Sequence, residues 1–326
     1  MSEVVYLDQN MWIKLLQQQK GQISGFGDEL DAVVRLSDTG RAIFPLSRFH
    51  AVETASYGGG DESINDMFEF MLEISQRYCV APFDIVKKEE IAQEAHRLIG
   101  LDFSIKGKVI GQGLPFMHGG NRYEITANPE EGDGSEMEEL LYEWSQGEEF
   151  ADELLNDDGF REIMGDRRHE EEIAEELEEI RSKNEGEFKS NSHQRKITTL
   201  HYLQEEVCPA VKSRVEELLL SEKDAPPLID HDISEETLES EEFALKYMKR
   251  FPAVDSYTKL TVSRNLQKSE IEENDLNDIM ALSVAIPYCD LVLTENFWAS
   301  VSSQCDLEDD YGGVVSSDLS EVTNLL

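Results

Sequence analysis

Two stretches of this chain alternate short β-branched runs with amphipathic helical runs, and that rhythm limits the fold more than any other feature. VVYLD is followed at once by MWIKLLQQQ, where Trp12, Leu15 and Leu16 recur at helical spacing. RAIFPLS reads as a second strand ending at Ser47, an N-cap for the helix RFHAVETAS, which stops before Gly58, Gly59 and Gly60. The helix ESINDMFEFMLEISQRY, a third strand CVAPFDIV and the helix KKEEIAQEAHRLIG, ending at Gly100, complete the first hundred residues. From about residue 270 the rhythm returns, with the helix DLNDIMALSVAI closed by Pro287, the strand CDLVLT, and GGVVSSDLSEVTNLL as a last strand running into a C-terminal helix. Strands alternating with helices predict an α/β domain with a parallel sheet covered by helices.

Between these flanks the rhythm is lost. A glycine-rich stretch, GKVIGQGLPFMHGGNRYE, leads into a very acidic region over 129–190. There HEEEIAEELEEIRSK places Ile173, Leu177 and Ile180 on one helical face, and HYLQEEVCPAVKSRVEELLL and SEEFALKYMKRF continue as amphipathic helices. The chain therefore reads as one α/β domain built from 1–100 and 265–326, interrupted by a mostly helical acidic insertion over 101–264.

Charge narrows the function classes. The chain holds 69 acidic against 29 basic residues, a formal net charge of −40, which excludes binding of nucleic acid or anionic membrane through a broad basic face. With 40% hydrophobic residues the chain has enough apolar content for a core, so disorder does not explain the charge. High salt does: at about 1 M the Debye length falls to roughly 3 Å, and a carboxylate-rich surface becomes tolerable, as in salt-loving organisms. Cys79, Cys208, Cys289 and Cys305 show no CxxC spacing and the histidines no HExxH pair, which argues against zinc. MSEVVYLDQN lacks a signal-peptide core, and no run approaches the ~18 apolar residues of a membrane span, so the expected location is cytoplasmic.

About one position in five is acidic, so only placement singles out a carboxylate. Ligands of open parallel sheets gather outside the carboxyl ends of the strands. Asp8 and Asn10 follow the first strand directly, although Asp8 equally suits capping the helix that begins near Met11. Glu53 lies in the second turn of the helix after strand two, and Asp278 adjoins the buried stripe Ile279, Leu282, Ala285 and Ile286. Asp275, in the first turn of that helix, is explained by the macrodipole alone. Glu295 and Asn296 end the strand CDLVLT, whereas Asp290 precedes it, more than about 10 Å from the carboxyl end, and reads as a cap of the opposite edge. Carboxylates converging without Lys, His or Cys require a hard divalent cation, Mg²⁺ or Mn²⁺, and such an ion suits phosphodiester hydrolysis.

The constellation VYLDQN, SRFHAVETA, NDIMALSVA and LVLTEN resembles the PIN-domain nucleases, whose pattern is an Asp at the end of strand one, a Glu on the helix after strand two, an Asp opening a later helix, and a final Asp or Asn following a Thr at the end of strand four. The resemblance covers 1–100 and 268–326. It implies a three-layer PIN-like sheet and metal-dependent cleavage of RNA, leaving a 3′ hydroxyl and a 5′ phosphate. Asp8, Glu53 and Asp278 would hold the metal, Glu295 would assist directly or through water, and Asn10 and Asn296 would orient ligands. The fourth corner falls on Asn296 beside Glu295, implying a single metal or reduced activity. Arg48, Arg264 and Lys268 are candidates for the RNA backbone and Trp12 for base stacking. Family members often dimerise, and no sequence feature locates an interface.

Two other enzyme readings fit less well. A phosphatase-like hydrolase needs a second Asp where Asn10 stands, and no GxGxxG follows strand one for a dinucleotide. A PIN-like module that no longer cuts, with the acidic insertion docking a protein partner, is the alternative from a different class.

Overall fold

The computed structural model describes residues 2–55, 61–119, 191–221, 241–267 and 272–326. Its first part runs β1 (Glu3–Leu7), α1 (Gln9–Gln19), α2 (Gly27–Asp38), β2 (Ala42–Ile43), α3 (Arg48–Ala55), α4 (Asp61–Ser75), β3 (Tyr78–Val80) and α5 (Phe83–Leu98). Short elements follow: α6 (Lys106–Val109), β4 (Ile110–Gln112) and α7 (Leu114–Met117). Next come α8 (Asn191–Tyr202), a π-helical turn over Leu203–Val207, α9 (Cys208–Ser221), α10 (Glu241–Met248), α11 (Pro252–Asn265) and α12 (Glu273–Tyr288). The chain closes with β5 (Leu291–Leu293), α13 (Asn296–Gln304), α14 (Leu307–Tyr311), β6 (Val314–Ser316) and a 3-10 turn over Leu319–Leu325.

The α/β class expected from the sequence is present. Four strands form a wholly parallel sheet in the order β2-β1-β5-β6. The β1–β5 register pairs Val5 with Leu291, Tyr6 with Val292 and Leu7 with Leu293. Strand side chains alternate between faces, so β1 and β5 feed two separate cores. Val5, Leu7, Leu291 and Leu293 pack with Trp12, Val33, Leu36, Met71 and Ile74 from α1, α2 and α4. Tyr6 and Val292 pack on the other side with Ile279, Leu282, Ala285 and Ile286, the stripe foreseen on α12. Both faces are covered, as the continuously apolar strands require.

Four local expectations fail. The run CVAPFDIV does not join the main sheet: β3 pairs antiparallel with β4, and Cys79 forms an isolated parallel bridge to Leu46, beyond the end of β2. Its second half is helix, because Pro82 stops the strand and stands at the N-cap of α5. Pro287 lies inside α12 rather than closing it, and the segment after β6 is a 3-10 turn rather than an α-helix. The helix expected over HEEEIAEELEEIRSK lies outside the described residues. The π-helical turn falls just before Pro209, whose missing N–H breaks the regular bonding.

A third core joins α5 to α9, α10 and α11 through Ile91, Ala95, Leu98, Val211, Val215, Met248, Phe251 and Val254. One carboxylate organises it. Helix α11 has no side-chain cap of its own, and Glu90 on α5 supplies one from a distance of 163 residues in sequence. Its carboxylate accepts from the Ala253 N–H at 2.7 Å, the Val254 N–H at 3.4 Å and the Tyr288 hydroxyl at 2.6 Å. Beside it Asp255 accepts from Tyr311 at 2.6 Å and pairs with Lys259 at 2.6 Å. Burial pushes Glu90 up to about 7, with Asp255 adding to the rise and the three hydrogen bonds opposing it.

Glu90 therefore holds its proton in the folded chain over a pH range in which the unfolded chain has released it. Its contribution to stability falls as pH rises from about 4.5 to 7 and is flat above. Glu90→Gln, which stays neutral, should flatten the stability–pH curve between pH 5 and 8. Wild type should lose on the order of 3 kcal/mol across that window that the variant does not, measured by urea unfolding at molar KCl.

Candidate functional site

Connections from β1 leave toward β2, whereas those from β5 leave toward β6, so the chain reverses direction between β1 and β5. At such a switch point the loops after adjacent strands part and open a crevice at their carboxyl ends. Asp8 follows β1 there, and Thr294 follows β5. The Asp8 N–H donates to the Leu293 carbonyl at 2.8 Å, and the Thr294 N–H to the Ser316 carbonyl at 2.9 Å, so both positions are tied into the sheet.

Asp8 does cap the helix that follows β1, as the sequence allowed. Its Oδ1 accepts from the Gln9 N–H at 2.7 Å as the N-cap of α1, and its Oδ2 accepts from the Thr294 hydroxyl at 2.9 Å. Asp278, on α12, accepts at Oδ2 from the Trp298 indole N–H at 2.7 Å. Glu295 stands at the N-cap of α13 and accepts from the Asn10 amide across the crevice. Asn296 accepts from the Ser317 hydroxyl at 2.6 Å. Glu53 is half-buried on α3, and its charge is felt at both Tyr6 and Asp278.

The electrostatics record this proximity. Burial raises the Asp8 carboxyl above its ordinary value; Thr294 and Gln9 pull it back, and the Glu295 charge raises it again. Asp278 is raised further, first by burial, then by the charge of Asp8, with Glu53 and Glu295 adding and the Trp298 hydrogen bond opposing. Four carboxylates thus act on one another, and no Lys or Arg is among the leading influences on either aspartate. As hard oxygen donors they fit Mg²⁺ or Mn²⁺ in chemistry. In geometry the fit is looser: among the described residues no three His, Cys, Asp or Glu side chains are drawn together as an ion-sized cage.

Several candidates belong elsewhere. Arg264 is 4% exposed and bonded to Asp275 at 2.6 Å, cross-linking α11 to α12, so it does not present its charge to a ligand. Asp275 also accepts from the Glu272 N–H at 2.7 Å, completing a capping box. Asp290 accepts from the Val4 N–H at 2.8 Å at the far end of the strands. Trp12 is fully buried, edge-on to Phe70 and His50, and offers no stacking surface. The Arg48 guanidinium lies over the Phe49 ring at 5.2 Å. Lys268 lies outside the described residues.

Three site neighbours, Tyr6, His50 and Trp298, escaped the sequence reading. Tyr6, buried two residues before Asp8 on the same strand, shares a hydrogen bond with Ser47 at 3.2 Å and stacks on His50. Burial and then the Asp8 charge hold its hydroxyl well above the ordinary range, so it stays protonated. His50 accepts from the Ser47 N–H at 3.0 Å through Nδ1, and burial pushes it down to about 3, which keeps it neutral. The period-two spacing from Asp8 could have flagged Tyr6; nothing local marks Trp298.

Comparison of the chain with family models, with curated proteins and with solved structures returns no match.

Because Asp278 is raised in the fold, its ionised form costs stability at neutral pH. Asp278→Asn should stabilise the metal-free protein at pH 7, and this gain should shrink as pH falls and the carboxyl becomes protonated in both states. Thermal melts in EDTA at pH 7 and at lower pH test it.

Proposed function

We propose that this chain is a divalent-metal-dependent endoribonuclease of the PIN-like type, hydrolysing phosphodiester bonds to leave a 3′ hydroxyl and a 5′ phosphate. One observation carries the reading: beside the switch point Asp8 is raised by burial and by the charge of Glu295, and Asp278 is raised by burial and by the charges of Asp8, Glu53 and Glu295. Concentrated negative charge with no leading basic counterpart is costly unless a cation is to be held, and perturbed carboxylates in a cleft are a common mark of function.

In this reading Asp8, Glu53, Asp278 and Glu295 would hold Mg²⁺ or Mn²⁺, which would neutralise phosphoryl charge and acidify a water. The other side chains act on those carboxylates. Thr294 and the Gln9 N–H fix the Asp8 carboxylate in rotation, Trp298 does the same for Asp278, and Asn10 holds Glu295 across the crevice. Tyr6 keeps a proton-bearing hydroxyl, where a deprotonated one would add a further negative charge. The net charge of −40 suits molar salt as the working medium. The looser geometric fit among the described residues favours, as second reading, a PIN-like module that binds without cutting.

Cleavage of a mixed single-stranded RNA pool at molar KCl with Mn²⁺ or Mg²⁺ decides between them. Asp8→Asn and Asp278→Asn should each lower the rate by at least about 100-fold, and Trp298→Phe should weaken Mn²⁺ binding by about 10- to 100-fold through loss of one orienting hydrogen bond. A folded wild type that neither cuts nor binds Mn²⁺ by calorimetry sinks the nuclease and leaves the binding module.

A further inference from the structure

A chain with net charge −40 cannot hold RNA by a broad basic surface, and the two arginines first considered for that task are engaged elsewhere, Arg264 with Asp275 and Arg48 over Phe49. Binding must then draw on the bases, whose flat faces stack on aromatic rings whatever their sequence. Among the described Phe, Tyr and Trp side chains one is exposed: Phe297, at 37%.

Its place is informative. Phe297 sits in the first turn of α13, between Asn296, which accepts from Ser317, and Trp298, whose indole donates to Asp278. Glu295, two residues earlier, is bonded to Asn10. The ring is also held: it meets the buried Trp298 edge to face, with centroids 4.8 Å apart and planes at 70°. An exposed aromatic fixed at the rim of a carboxylate crevice is a ready platform, with little freedom left to lose on binding.

We propose that Phe297 stacks a nucleobase of single-stranded RNA beside the bond placed at Asp8 and Asp278; this rests on the nuclease reading above. Phosphate contacts weaken steeply as salt rises, whereas a stacked ring needs no counter-ion, so the arrangement suits an acidic protein in concentrated salt.

The test uses the full chain at molar KCl. Binding is read with a short RNA carrying 2-aminopurine, whose emission responds to stacking, with metal chelated; KM and kcat are read with Mn²⁺. Phe297→Leu keeps an apolar side chain against Trp298 but removes the π face. It should abolish the emission change, weaken binding about 5- to 100-fold, and raise KM by a similar factor with kcat nearly unchanged. Phe297→Trp should restore all three. Unaltered tryptophan emission would show that Trp298 keeps its surroundings. Phe297→Leu matching wild type in binding and KM overturns the proposal alone. A wild type that neither binds nor cuts RNA overturns the nuclease reading and this inference with it.

Discussion

Parallel pairing of β1 with β5 joins residues nearly 290 positions apart, and it brings the carboxyl ends of the two strands side by side. Asp8 bonds to Leu293 through its backbone and to Thr294 through its side chain, so the end of one strand is fastened to the end of the other. The remaining site residues are placed relative to that seam. Asn10 reaches Glu295, and Trp298, on the helix that follows β5, reaches Asp278 on the helix that precedes it. Among the described helices between residues 100 and 265, α9 and α10 pack with α5 and α11 in a cluster of their own.

The same seam concentrates unfavourable electrostatics. Burying Asp8 and Asp278 near Glu53 and Glu295 raises both aspartates, and the fold offsets this with directed donors: a helix N-terminus and a threonine for one, an indole for the other. A second buried acid, Glu90, is treated differently. It too is raised, yet it accepts three hydrogen bonds as the cap of a helix to which it is not connected in sequence. In the first case the carboxylates meet one another; in the second the carboxylate meets donors. That contrast separates carboxylates that repel one another from a carboxylate that serves as a structural joint.

Much was legible in the sequence because it depends on neighbours in the chain. The strand VVYL, the helix from Met11, the buried stripe of α12 and the strand LVL follow from periodicity and length, and Asp8, Glu53, Asp278 and Glu295 could be picked out because each stands at the end of a strand or near the start of a helix. Misreadings came where distant contacts override local preference. The segment YCV finds an antiparallel partner in IGQ rather than joining the main sheet, and Pro287 is tolerated in the last turn of α12.

The sequence by itself determined the parallel α/β character, the extreme acidity and the short set of carboxylates from which a site could be drawn, because these depend on composition and on periods of two and 3.6 residues. Only the tertiary structure decided what each polar side chain meets. Arg264 turned inward to Asp275, Trp12 sank into the core, and Tyr6 came within reach of the Asp8 charge, while Phe297 alone among the described Phe, Tyr and Trp side chains stayed exposed. Spacing along a chain gives the face on which a residue lies, but the partner on that face is supplied by another segment of the fold, and burial and pairing are properties of that meeting.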